Sequence, residues 1–158
     1  MLVKIHGNIT VNAGDLMFLD RTNGGRGAGV AADYYGYPFN YALNATTITM
    51  GIASILYNHF AGVAMDGSIS GTTEDISVAT NGVFRYPVYR DGAVTIGALV
   101  SAVSSLTSGT GVSPQTVFMS ATAPGSTAYL GYCVKTQSGA SYVDFQIRTA
   151  YGAGGLAT

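Results

Sequence analysis

Charge is what this chain has least of. Only 9% of its 158 residues are charged, against roughly a quarter in an ordinary soluble domain, so hydroxyls, amides, glycine and tyrosine must cover its surface. Such a surface favours packing against neighbours, and a low-charge monomer tends to self-associate. Basic residues are sparse and scattered: Lys4, Arg21, Arg26, Arg85, Arg90, Lys135 and Arg148, within a net charge of −1. No nucleic acid partner is expected, because phosphate recognition needs a clustered basic face.

The single cysteine, Cys133, has no partner for an intramolecular disulfide. Its neighbours Gly131, Tyr132 and Val134 read as a strand, which makes Cys133 a small apolar core residue rather than a reactive thiol. The two histidines, His6 and His59, show no metal-binding spacing such as His-x-x-x-His, so no metal and no cofactor is expected. Long apolar runs are missing too. The nearest candidate, residues 48–63, is broken by Thr49, Ser54, Asn58 and His59, and a membrane helix needs about eighteen or more uninterrupted apolar residues. No membrane partner is expected. The first fifteen residues lack the apolar segment and small-residue cleavage site of a secretory leader. Synthesis in a cytoplasm is the expectation, and the sequons Asn8-Ile9-Thr10 and Asn44-Ala45-Thr46 then carry no weight.

What is present is β signal. Short stretches rich in β-branched and aromatic residues occur at 3–5, 9–11, 16–19, 62–65, 75–79, 82–88, 94–103, 117–120, 129–135 and 142–149. Turn residues separate them: Asn12-Ala13-Gly14-Asp15, Asp66-Gly67, Asn81-Gly82, Asp91-Gly92, Pro124-Gly125 and Ser138-Gly139. Strands at intervals of about ten residues predict an all-β fold, a compact barrel or sandwich in one domain over 1–158. Helix competes only over 46–60, where Met50, Ala53, Ile55, Leu56, Tyr57 and Phe60 approach i, i+3, i+4 spacing behind threonine caps. A helix of three turns or fewer is predicted there. No internal repeat is evident, and residues 150–158 form an expected tail.

Residues 21–45 read as an extended arm or long loop. Gly24, Gly25, Gly27 and Gly29 precede an aromatic run, Tyr34, Tyr35, Tyr37, Phe39 and Tyr41, interrupted by Gly36 and Pro38. Glycine and proline argue against a regular helix or central strand, and exposed rings are costly in water. The five rings are therefore the expected subunit interface. A carbohydrate platform, the basis of a rival host-adhesion reading, would use the same rings by stacking; tyrosine is also a usual anchor of protein interfaces.

Catalysis finds little to work with, and no enzyme is expected. Glu74-Asp75 is the only adjacent carboxylate pair and sits in a polar stretch; a hydrolase would need a second carboxylate facing it across a pocket. Gly25-Arg26-Gly27-Ala28-Gly29 mimics a dinucleotide fingerprint, but Tyr34-Tyr35-Gly36-Tyr37-Pro38 follows where a helix should begin.

The succession Ala13-Gly14-Asp15-Leu16-Met17-Phe18-Leu19-Asp20, Phe60-Ala61-Gly62-Val63-Ala64, Ile76-Ser77-Val78-Ala79-Thr80-Asn81-Gly82-Val83-Phe84, Val94-Thr95-Ile96-Gly97-Ala98-Leu99-Val100 and Leu130-Gly131-Tyr132-Cys133-Val134-Lys135 resembles the head decoration, or capsid cement, proteins of tailed bacteriophages. The similarity runs from about residue 11 to 149. It implies a compact β domain that assembles as a homotrimer on the outer surface of the virion head. The implied partner is the major capsid protein, whose subunits the domain would tie together. The insert at 31–41 and the tail at 152–158 depart from the family pattern.

Overall fold

The computed structural model describes residues 1–5, 7–20, 35–43, 59–70, 73–104, 112–120 and 129–149. In order, the strands are β1 (Leu2–Ile5), β2 (Leu16–Asp20), β3 (Tyr35–Pro38), β4 (Phe60–Ala64), β5 (Glu74–Ala79), β6 (Val83–Val94), β7 (Leu99–Ser104), β8 (Val112–Ser120), β9 (Gly131–Cys133) and β10 (Gln137–Ile147). A 3-10 turn over Phe39–Leu43 follows β3 directly. The protein is all-β, as the alternation of its residues predicts.

The strands close into two five-stranded barrels, ordered β1-β3-β2-β4-β5 and β6-β8-β7-β9-β10. Replacing each strand of the first half by its successor five places on converts one order into the other. The pairing senses also agree: β1–β3 and β6–β8 are parallel, and the remaining pairs are antiparallel. The chain is thus an internal duplication, which corrects the expectation of no repeat.

Away from the bulges the two registers correspond position by position. In the first barrel Leu16 faces Val63 and Val63 faces Ala79; in the second Leu99 faces Tyr132 and Tyr132 faces Gln146. Ile5 opposite Gly36 corresponds to Val88 opposite Val117. The turn entering the second strand of each barrel is the same device. Gly14 and Gly97, both at positive φ (92° and 84°), donate N–H bonds of 2.8 Å to the carbonyls of Ala64 and Cys133. Ala64 and Cys133 return bonds of 2.9 and 2.8 Å to Asp15 and Ala98. Glycine is needed because a side chain rarely tolerates that φ.

Alternation decides what each barrel buries. On β1 and β5, Val3, Ile5, Ile76 and Val78 are buried while Leu2, Lys4 and Asp75 are exposed. Their counterparts Tyr86, Val143 and Phe145 line the second barrel, with the rings of Tyr86 and Phe145 edge to face at 5.6 Å. Buried apolar residues of both barrels join in one cluster.

Several expected boundaries move. Residues 9–11 form no strand; Val11 makes a single bridge to Ser68. Asp91-Gly92 lies inside β6 rather than in a turn, and Ser138-Gly139 lies inside β10, where Gly139 takes a φ of 63°. The register shifts of β10 on either side of Ala140, which pairs with Gly92, absorb both irregularities. Residues 94–103 divide, Val94 ending β6 and Leu99 opening β7. The predicted helix at 46–60 lies outside the described residues apart from His59, in a turn, and Phe60, which opens β4. The tail at 150–158 and the Gly-rich part of the arm also lie outside them.

Candidate functional site

The aromatic segment does not form an arm over its whole length. Residues 35–38 are β3, a strand between β1 and β2 inside the first barrel. Tyr37 is 5% exposed and Phe39 is fully buried. Their rings pack with their own barrel: Tyr37 stacks on Phe18 at 5.6 Å, and Phe39 meets Phe60 edge to face at 5.7 Å. Tyr37 and Phe39 are core residues, and the expectation that they face a partner or a sugar is corrected. Tyr35 and Tyr41 are half-buried; Lys4 lies over the Tyr35 ring at 5.8 Å, and the Tyr41 hydroxyl donates to the Asn8 carbonyl at 3.4 Å. Tyr34 lies outside the described residues.

Two of the arguments for an arm fail on local geometry. Gly36 is tolerated in β3 because a β-carbon there would press on the inward side chains of Val3, Ile5 and Met17. Pro38 is tolerated because β3 pairs with β1 only through Tyr35 and Gly36; at Pro38 only Met17 of β2 lies opposite. The missing N–H therefore leaves no ladder bond to β1 unmade.

The exposed apolar surface lies elsewhere. On the second barrel Val83, Tyr89, Phe118, Tyr132 and Tyr142 are exposed, as is Ile96 in the turn before β7. Cross-strand register groups them. Tyr132 lies between Leu99 and Gln146, and Gln146 faces Val83. Along β6 and β10 the next outward pairs are Arg85 with Asp144 and Pro87 with Tyr142. Arg85 Nε donates to Asp144 Oδ1 at 2.7 Å and Nη2 to Oδ2 at 2.9 Å. That bidentate hydrogen bond holds the Asp144 carboxyl below the usual carboxylate range. It also orients the guanidinium between the apolar residues on either side of it. The sequence placed all of these residues except Tyr89 on strands; which strands lie side by side, and so which outward residues share one patch, follows only from the register.

A polar cluster joins the barrels. Asp15, 2% exposed, accepts from the Asn12 N–H at 2.8 Å through Oδ2 and from Gln115 Nε2 at 2.7 Å through Oδ1. Tyr86 donates its hydroxyl to the Gly14 carbonyl. Burial, reinforced by the negative charge of Asp15, raises the Tyr86 pKa. The ordinary value is 10.0. Below it both folded and unfolded chains keep the proton; above it the unfolded phenol ionises first, so stability falls as pH rises through that value and beyond. Urea unfolding between pH 8 and pH 11 should show this decline, and Tyr86→Phe should make it shallower. An equal slope in the variant would contradict the assignment to Tyr86.

Elsewhere the chemistry is quiet. Glu74 and Asp75 are exposed at the start of β5, opposite Ile5 and Lys4. His59 sits in the turn before β4, its carbonyl accepting from the Leu19 N–H at 2.9 Å. Cys133 is buried in β9 as the sequence predicts, its thiol donating to the Lys135 carbonyl at 3.0 Å. Among the described residues no three metal-ligating side chains converge, and no helix is long and apolar enough to cross a membrane. No protein-family model matches the chain, and no curated protein matches it.

Proposed function

We propose that this protein is a structural subunit of a tailed-bacteriophage virion, attached to the outside of the head, where it ties major capsid subunits together. The observation that carries the reading is the outward face of β6 and β10. Val83 on one side and the Pro87–Tyr142 pair on the other flank the Arg85–Asp144 pair along the strands, with Tyr89 exposed further along β6, on a chain with only 9% charged residues. Aromatic and arginine side chains of this kind anchor protein interfaces. The work is binding rather than catalysis, spread over a joint of on the order of a thousand Å² or more. The resemblance of residues 11–149 to head decoration proteins supplies the partner.

The test is addition of the purified protein to heads that lack it, followed by sedimentation. Saturable co-sedimentation is expected. Tyr142→Asp, an exposed change on the β10 face, should weaken it by about tenfold or more. Heads that bind nothing, or variant and parent binding equally, would overturn the partner or the face respectively. Glycan binding by the protein with no affinity for heads would favour the host-adhesion rival.

A further inference from the structure

Asn81 and Gly82 lie in the bend between β5 and β6, and the fold leaves little choice about the second of them. Gly82 has a φ of 140°, which side chains rarely adopt, and a β-carbon there would press on the Phe84 ring. Glycine is therefore required at 82, whatever residue precedes it. Among the described residues Asn81 is the only asparagine followed by glycine; Asn8, Asn12 and Asn40 precede Ile9, Ala13 and Tyr41. A second Asn-Gly pair, Asn23-Gly24, lies outside the described residues.

Three features of the bend act on the Asn81 amide. Asn81 is exposed, so water reaches it. The Gly82 carbonyl accepts from the Ile147 N–H at 3.1 Å, but among the described residues the Gly82 N–H donates to no acceptor, and no side chain at 82 screens that nitrogen. Gln146, distant in sequence, is brought alongside by the pairing of β10 with β6 and donates from Nε2 to Asn81 Oδ1 at 2.5 Å. A donor on that oxygen makes Cγ more electrophilic and stabilises the negative charge that forms on the oxygen when a nucleophile adds.

We propose that Asn81 is a site of spontaneous covalent modification, in which the Gly82 nitrogen closes a succinimide on the Asn81 side chain, with Gln146 as the oxyanion donor, and water opens the ring to a carboxylate. The bond from the Gly82 nitrogen to Cγ forms and the Cγ–Nδ2 bond breaks. Nδ2 leaves as ammonia and takes up the proton that the Gly82 nitrogen gives up. Addition of water at Cγ restores the peptide N–H and leaves aspartate at position 81. Addition at the main-chain carbonyl carbon leaves isoaspartate, whose backbone runs through the former side chain. Asp66-Gly67 and Asp91-Gly92 have no amide to lose. The product adds one negative charge beside Gln146, whose cross-strand neighbours are Tyr132 and Val83. Charge is thus gained at the border of the exposed apolar surface of the second barrel, on a chain with little charge elsewhere. The inference comes from the geometry of the bend and stands apart from the capsid reading.

Full-length protein held in mildly alkaline buffer, with peptide mapping by mass spectrometry at intervals, tests it. The peptide containing Asn81 should gain the mass of an amide-to-acid exchange and split into two products, while those containing Asn8, Asn12 and Asn40 stay unchanged. Gln146→Met, which keeps the side-chain length and removes the donor, should slow conversion of the folded chain about two- to tenfold, the worth of one hydrogen bond. In urea the same substitution should leave the rate unchanged, because Gln146 lies 65 residues away in sequence and meets Asn81 only in the folded chain. If Gln146→Met fails to fold, Gln146→Glu takes its place. Conversion of Asn81 confined to the unfolded chain would overturn the proposal. So would equal rates for the folded parent and the folded Gln146 variant, since Gln146 would then have no part in the reaction.

Discussion

Phe39→Ala lowers the stability of the isolated protein by about 3–5 kcal/mol, the range for removing a buried ring. Phe39 opens the 3-10 turn and is fully buried, edge to face with Phe60 and tilted against Phe18 at 6.3 Å. Truncation removes the transfer energy of the ring and leaves a hole beneath the 3-10 turn, which also contacts β8 of the second barrel. For a chain of this length the thermal midpoint should fall by roughly 6–20 °C. The triple replacement of Tyr35, Tyr37 and Phe39 should be worse, and should prevent folding rather than merely weaken assembly. A triple variant that folds normally and loses only its affinity for partners would restore the aromatic segment as an interface and contradict its place in the core.

The second large effect is expected at a pair of glycines that are equivalent in the duplication. A β-carbon on Gly62 would collide with the carbonyl of Ala79, and one on Gly131 with the carbonyl of Gln146. Backbone lies in the way at both sites, and neither obstruction can rotate aside as a side chain could. Gly62 adds a φ of 138°, which disfavours any side chain. Alanine at either position should therefore cost about 3 kcal/mol or more, at or beyond the upper end of ordinary overpacking. The unequal φ values predict an order, with Gly62→Ala the more damaging. Chemical denaturation of both variants checks this, and a loss below about 1 kcal/mol at either site would show that β4 or β9 can move away from its neighbour.

The all-β class was legible because alternation is a local property. Leu2–Ile5 and Glu74–Ala79 show it plainly, and Asn12-Ala13-Gly14-Asp15 announces its turn through residues that favour one. The duplication was not legible. Equivalent positions share few identities, such as Val11 with Val94, Gly14 with Gly97, Leu16 with Leu99 and Gly62 with Gly131. Connections of unequal length also destroy any fixed period: the link from β3 to β4 is much longer than that from β8 to β9. Barrel interiors ask only for small or apolar side chains, so Ala64 and Cys133, or Val3 and Tyr86, can occupy the same place.

The aromatic segment was misread for a related reason. Gly36 and Pro38 do weaken strands on average, but here Gly36 makes room for three inward side chains and Pro38 lies past the end of the pairing with β1. Both conditions depend on where a strand distant in sequence stops. Low charge and abundant tyrosine led the sequence reading to expect a packing surface. Of the rings it pointed to, Tyr37 and Phe39 are buried, whereas Phe118, Tyr132 and Tyr142 are exposed on the second barrel.

The most direct measurement of the central proposal is electron microscopy of heads incubated with saturating protein, beside the same heads without it. The account predicts added density on the outside of the shell at a fixed set of symmetry-related positions, bridging neighbouring capsid subunits, and its loss with Tyr142→Asp. Heads whose outer surface is unchanged at saturation, or density confined to the tail, would contradict it.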